Sequence, residues 1–105
     1  MADPGNGASR FQVHCSGAIL DVITSVHRVA SRRGEGNAVT RAFRQIIRRL
    51  EADPFQVGEP EYRLPGLRMQ IRRTILSPLV VEFGVCEDRP LVFIKGVKLL
   101  SGKSF

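Results

Sequence analysis

Three strand-length apolar segments follow one another in the second half of the chain, and very short connections join them. They are residues 67–76, 79–86 and 91–100, with a Ser-Pro corner after the first and residues 87–90 forming a turn after the second. Connections this short can return the chain only to a neighbouring antiparallel strand, because a parallel crossover needs a dozen or more residues. The sequence therefore predicts a three-stranded antiparallel meander.

The first half of the chain has helical periodicity after one short strand. Residues 11–16 alternate apolar and polar side chains, which is typical of a strand with one buried face. Apolar side chains then recur at helical spacing over 18–33 and again over 38–53, and a loop with two glycines separates the two stretches. Ser16 is the predicted N-cap of the first helix and Asn37 that of the second. The two helices form a predicted αα-hairpin.

Together these elements predict an α+β domain with the order β-α-α-β-β-β. The helical hairpin packs on one face of a mainly antiparallel four-stranded sheet, and the other face stays open to solvent. Residues 54–66 contain three prolines and two glycines, so we predict a loop there. Residues 1–9 are a predicted flexible tail, and 10–105 are the single domain, because a chain this short supports one core.

Arg72 and Arg73 are neighbours inside the segment 67–76, so their side chains point to opposite faces of the sheet. The alternate positions that include Arg72 are polar and predict the solvent face, whereas those that include Arg73 are apolar. We expect Arg73 to reach the sheet edge, meet a carboxylate or follow a β-bulge, because an unpaired buried cation is costly. The predicted binding residues of the open face are Arg68, Arg72, Arg73, Lys95 and Lys98.

The charge balance predicts a negatively charged partner, either a nucleic acid or an acidic protein. Lys and Arg number 16 against 10 Asp and Glu, which gives a formal net charge of +6 and a pI near 10.4. Thirteen of the cations are arginine, whose planar fork suits phosphate and carboxylate groups. A second basic patch is predicted on the exposed side of the second helix, at Arg41, Arg44 and Arg48.

Other classes of site and location are disfavoured by the sequence. No stretch approaches the roughly 18 apolar residues of a membrane span, and the N-terminal residues have no signal-peptide core, so we expect a cytoplasmic protein without membrane contact. His14, Cys15 and Cys86 lack the spacing of metal ligands. We therefore expect no metal site and no cofactor.

Four sequence patterns together resemble the RelE/ParE superfamily of bacterial toxins, over residues 11–100. They are LEADP at the end of the second helix, LPGL before the first long strand, PLVVEFGVCED across the second, and RPLVFIKGV leading into the third. The fold that this resemblance implies agrees with the one predicted from periodicity.

The resemblance implies a toxin of a type II toxin-antitoxin system, held inactive by a cognate antitoxin. Members of the superfamily either cleave mRNA in the ribosome without a metal or inhibit DNA gyrase. Arg72 or Arg73 matches an arginine of the family and Lys98 a cation of its last strand, but only Phe105 lies near the place of the catalytic tyrosine. A phenyl ring cannot move a proton, so an RNA-cleaving site in this chain would lack the usual acid-base residue. Inhibition by binding through the basic open face is therefore favoured.

Two alternatives remain open at this point. The chain is a degenerate relative of the toxins, a non-catalytic basic module that binds nucleic acid or protein. Alternatively, it is a structural domain that forms homo-oligomers through an exposed sheet edge.

Overall fold

The computed structural model describes residues 10–100, which form an α+β domain with two helices on one face of a five-stranded sheet. The predicted tail 1–9 and the position of Phe105 lie outside these residues. Two short 3₁₀ helices, Pro54–Gln56 and Pro65–Leu67, flank the second strand. The main elements are β1 (Gln12–His14), α1 (Gly17–Arg32), α2 (Gly36–Ala52), β2 (Glu59–Leu64), β3 (Met69–Leu76), β4 (Leu79–Cys86) and β5 (Leu91–Leu99).

The sheet has the strand order β1-β5-β4-β3-β2. Strands β2 to β5 pair antiparallel with their neighbours in sequence, which confirms the predicted meander. β1 pairs parallel with β5, and the helical hairpin forms the long connection that separates β1 from the meander. The α+β class and the mainly antiparallel sheet are therefore confirmed.

The prediction that residues 54–66 form a loop was wrong, because they contain β2. This strand lies at the edge of the sheet and pairs with β3, with a β-bulge between Pro60 and Tyr62. Proline is tolerated there because an edge strand donates hydrogen bonds to one neighbour only. The proline-rich composition hid a strand that depends on tertiary pairing more than on local propensity.

Of the two predicted helix caps, one is confirmed. The Ser16 hydroxyl oxygen accepts a hydrogen bond from the Ile19 backbone N–H at 3.1 Å. The prediction of Asn37 as the N-cap of the second helix was wrong, since α2 already begins at Gly36 and Glu35 occupies the cap position. The Glu35 N–H donates to the Ala30 carbonyl at 2.8 Å, so the connection between the helices is tighter than the glycine pattern suggested.

The hydrophobic core lies between the helical hairpin and the sheet. Because strand side chains alternate, every second residue of β4 enters this core and the others face the open side. The buried core residues are Ala30, Val39, Ala42, Ile46, Leu50 and Val57, with Leu79, Val81, Phe83, Val85, Val92, Ile94 and Val97 from the strands. Neither helix in residues 10–100 combines the length and the apolar character that a membrane-crossing segment needs.

Candidate functional site on the open sheet face

Cross-strand pairing aligns five side-chain positions in one line across the open face. This line, which we call the aromatic row, consists of Tyr62, Ile71, Gly84, Phe93 and His14, one from each strand. The His14 ring stacks on Phe93 with ring centroids 5.3 Å apart and an interplanar angle of 25°. Tyr62 is 46% exposed at the other end. The open face therefore carries aromatic rings at both ends of a row that spans the sheet.

Gly84, in the middle of this row, leaves space that neighbouring side chains fill. A Cβ atom at Gly84 would lie 2.5 Å from the Met69 Sδ atom and 3.1 Å from the Ile71 Cδ1 atom. Because the glycine has no side chain, Met69 and Ile71 pack over its backbone. The middle of the row is thus apolar, and Ile71 there is fully buried.

A cluster of charged residues lies next to the aromatic row. This charged cluster comprises Glu61, Arg73, Glu82, Lys95 and Lys98. The Arg73 Nη2 atom lies 2.9 Å from the Glu61 Oε2 atom, and Glu82 is the cross-strand partner of Arg73 on β4. Lys98 is exposed and pairs across the strands with Val80.

Lys95 joins the charged cluster to the aromatic row. Its ammonium group donates a hydrogen bond to the Tyr62 hydroxyl oxygen, with the Lys95 Nζ atom 3.2 Å from the Tyr62 Oη atom. The same nitrogen lies 5.8 Å from the centre of the Tyr62 ring. This hydrogen bond raises the pKa of Lys95, so the lysine stays charged near neutral pH.

Two β-bulges bring the charged cluster together. On β2, Pro60 pairs with Arg72 and Tyr62 with Ile71, which leaves Glu61 as the extra residue. On β5, Lys95 is the extra residue in the same way, because the pairing with β4 skips it. Bulged residues leave the ordinary alternation of a strand, so a charged side chain at position 95 is tolerated among the apolar residues of 91–97.

Neighbouring groups shift the pKa of the Glu61 carboxyl group in opposite directions. A hydrogen bond with Glu82 raises its pKa above the usual value, while the positive charges of Arg73 and Lys95 act to lower it. A carboxyl group that lies close to a second carboxyl group binds its proton more tightly. Glu61 therefore takes up a proton more readily than an isolated glutamate does.

Arg73 lies on the open face and meets a carboxylate, which is one of the outcomes that the sequence predicted. Its side chain is 47% exposed. The prediction that Arg72 lies on the solvent face was wrong, since Arg72 is only 7% exposed. It pairs with Phe83, a core residue, so its side chain points to the helix side of the sheet.

Backbone carbonyls surround the guanidinium group of Arg72. The Nε atom donates to the Val57 carbonyl at 3.0 Å and the Nη2 atom to the Gly58 carbonyl at 3.1 Å. The Nη1 atom donates to the Gln70 side-chain oxygen. These bonds satisfy the buried cation and fasten the segment that leads into β2.

The remaining predicted basic residues lie away from the charged cluster. Arg68 has a left-handed backbone conformation just before β3 and lies 4.0 Å from Asp88, about 17 Å along the strand from Arg73. The second basic patch is exposed on α2, in the helical layer on the opposite side of the sheet, with Arg41, Arg44 and Arg48. The basic residues thus form two separate surfaces.

Tyr62 and Glu61 are the residues of this site that the sequence reasoning missed. Both lie within residues 54–66, which were predicted to form a loop. Tyr62 in fact lies on the open face, as does His14 from β1. A signal was present in residues 59–64, where a tyrosine and a leucine alternate with charged residues, but the prolines outweighed it.

No protein-family model matches this chain, and no curated protein matches it. The resemblance to the RelE/ParE superfamily therefore stays a prediction, as does the formation of homo-oligomers through a sheet edge. Within residues 10–100, no three His, Cys, Asp or Glu side chains come together in a group that could hold a metal ion.

Proposed function

We propose that this chain is a toxin-like protein that inhibits translation by binding single-stranded RNA, such as mRNA in the ribosome, on its open sheet face. The observation that supports this proposal is the aromatic row, exposed at its Tyr62 and His14 ends, on the same sheet face as the charged cluster. The proposal places the protein in the cytoplasm, together with a cognate antitoxin whose acidic segment covers the same face.

The two parts of the open face suit the two parts of a nucleotide. An aromatic ring stacks an unpaired base, which contributes roughly 1–3 kcal/mol per base. Arg73 and Lys95 offer charged donors for phosphate oxygens at about two residues, or 7 Å, along the strands from the row, and Lys98 lies about four residues, or 13 Å, from it. When a base stacks on Tyr62, Lys95 is therefore close enough to contact the phosphate of that nucleotide.

A single strand fits this surface better than a duplex does. The row spans five strands, about 19 Å, whereas the major groove of DNA is about 12 Å wide. Paired bases also hide the flat faces that aromatic side chains stack on. The observed geometry thus favours RNA with unpaired bases, and inhibition of DNA gyrase becomes an outcome to be tested.

Tyr62 also supplies a group that can move a proton. The Tyr62 hydroxyl accepts a hydrogen bond from the Lys95 ammonium and can donate its own proton to a leaving oxygen. In such a cleavage, water takes the proton of the ribose 2′-hydroxyl and the 2′-oxygen bonds to the adjacent phosphorus. The bond to the 5′-oxygen breaks as that oxygen receives the Tyr62 proton, and water then returns a proton to Tyr62. Cleavage is therefore a readout to record beside binding.

The test compares two double variants that remove the same charge from opposite faces. Lys95→Gln/Lys98→Gln changes the open face, and Arg41→Gln/Arg48→Gln changes α2. We expect the first to weaken binding of a labelled 12-nucleotide RNA by about tenfold and the second by about twofold or less, because a phosphate contact depends on position as well as on net charge. Fluorescence anisotropy measures the affinity, and a gel of the same RNA reports cleavage.

Expression in bacteria supplies the functional readout. Growth arrest by the wild type, relieved by Lys95→Gln/Lys98→Gln but not by the α2 variant, supports the proposal. Equal effects of the two variants on RNA binding would contradict a site on the open face. Arrest without RNA binding, accompanied by inhibition of purified gyrase, would replace RNA with gyrase as the target.

A further inference from the structure

Arg73, the cation that β3 contributes to the charged cluster, is already paired with a carboxylate of the same chain. The Arg73 Nη2 atom lies 2.9 Å from the Glu61 Oε2 atom, the distance at which a guanidinium also binds a phosphate oxygen. Glu61 therefore holds the position that an RNA phosphate needs. The side chain of Glu61 is 24% exposed, so solvent and ligands reach this ion pair.

Charged and titratable groups lie near Glu61 on each of the other three strands of the meander and on β2 itself. Arg73 approaches from β3, Glu82 from β4 and Lys95 from β5, while Glu59 and Tyr62 are its neighbours on β2. The helices lie on the other side of the sheet. Arg73, Lys95 and Lys98 oppose the carboxylates of Glu61 and Glu82, so the charged cluster has one net positive charge when both glutamates are ionised.

We propose that the Glu61 carboxylate competes with an RNA phosphate for Arg73. Glu61 pairs with Arg73 at neutral pH and releases it on protonation, so RNA binding strengthens as the pH falls. This inference rests on the proposed function. Protonated Glu61 donates its proton to Glu82 in a hydrogen bond, and Arg73 then lacks a full ion-pair partner on β2. The net charge of the cluster rises from one to two, which favours a polyanion.

The position of Glu61 on the edge strand suits this role. It is the extra residue of a β-bulge, so its side chain is set by the bulge rather than by packing against a cross-strand partner. The hydrogen bond with Glu82 raises the pKa of Glu61, which brings its protonation closer to neutral pH. The direction of the effect follows, since the protonated form is the one that leaves Arg73 free.

The experiment measures binding of the same labelled 12-nucleotide RNA between pH 5.5 and 7.5 at constant ionic strength. Glu61→Gln mimics the protonated side chain, and we expect about fivefold tighter binding at pH 7.5 with little further gain at low pH, because one cation becomes available. Glu35→Gln makes the same charge change at the start of α2 and should alter the affinity by less than about twofold.

His14 also lies on the open face, so its contribution must be separated from that of Glu61. The series is therefore repeated in a His14→Gln background. Binding that still strengthens at low pH in this background, and that Glu61→Gln then makes independent of pH, supports the proposal. A pH dependence that disappears with His14→Gln alone would overturn it and assign the effect to the histidine.

The remaining outcomes separate this inference from the function on which it rests. If RNA binds and Lys95→Gln/Lys98→Gln weakens it, but Glu61→Gln binds no more tightly than Glu35→Gln, the competitor role is wrong and the RNA site stands. If neither the wild type nor Glu61→Gln binds RNA at any pH, both proposals are overturned.

Discussion

Arg72 and Arg73 differ in surroundings although they are adjacent and chemically identical. Arg72 is buried and donates to the Val57 and Gly58 carbonyls, whereas Arg73 is half-exposed and pairs with Glu61. The alternation of a β-strand separates them, because successive side chains leave opposite faces of the sheet. Arg72 therefore stabilises the fold, and Arg73 remains available for binding.

Replacing each arginine with methionine should distinguish these roles. Arg72→Met leaves the buried Val57 carbonyl and the partly buried Gly58 carbonyl without their charged donor, so we expect the free energy of unfolding to fall by about 2–3 kcal/mol. Arg73→Met removes a half-exposed ion pair and should change it by less than about 1 kcal/mol. Urea denaturation followed by circular dichroism measures both. Equal losses would show that the burial of Arg72 does not matter for stability.

At the scale of the element, β2 depends on a close approach between its first residues and β3. Gly58 precedes β2 with a φ of +64°, and a Cβ atom there would lie 2.1 Å from the Arg73 carbonyl oxygen. Both the backbone conformation and the contact require glycine. The edge strand, and with it Glu61 and Tyr62, is positioned by this residue.

Gly58→Ala and Gly34→Ala form a matched pair that tests this point. Gly34 has a similar φ of +77°, but nothing within 4 Å of a Cβ atom. We expect Gly34→Ala to reduce the free energy of unfolding by about 1 kcal/mol, the cost of a left-handed alanine. Gly58→Ala should reduce it by at least about 2 kcal/mol, because the backbone of β3 must also move. Thermal and urea unfolding curves check the difference, and similar losses would argue against the close approach.

At the scale of the whole molecule, the positive charge is divided between two surfaces. The charged cluster lies on the open face, and the arginines of α2 lie in the helical layer on the other side of the sheet. A net charge of +6 attracts RNA to either surface from a distance. The open face adds the exposed Tyr62 ring, which Lys95 contacts, to its cations.

The salt dependence of RNA binding should show which surface makes the phosphate contacts. At pH 5.5, where Glu61 releases Arg73, three contacts predict a slope of about −2 in a plot of log affinity against log salt concentration, at roughly 0.7 per contact for a single strand. Lys95→Gln/Lys98→Gln should reduce the magnitude of this slope by about 1.4, and Arg41→Gln/Arg48→Gln should leave it nearly unchanged. A smaller slope in the α2 variant would place the RNA on the helices.

Much of the fold was predictable because it depends on local patterns. The helical periodicity over α1 and α2, the cap at Ser16 and the meander of β3 to β5 all follow from neighbours in sequence. The site was predictable only in part. Arg73, Lys95 and Lys98 were recognised as cations of the open face, but Glu61 and Tyr62 were missed with the strand that carries them.

The sequence by itself determined the element types and the basic character of the domain, since periodicity and charge are properties of short segments. The tertiary structure decided which face of β3 meets the core, and so which arginine is buried. That choice depends on the register of β3 with β4 and on the hydrogen bond between Arg72 and Val57, before β2. Both form only in the folded chain. Two bulges then turned Glu61 and Lys95 toward the same face, because an extra residue shifts the alternation that a sequence pattern assumes.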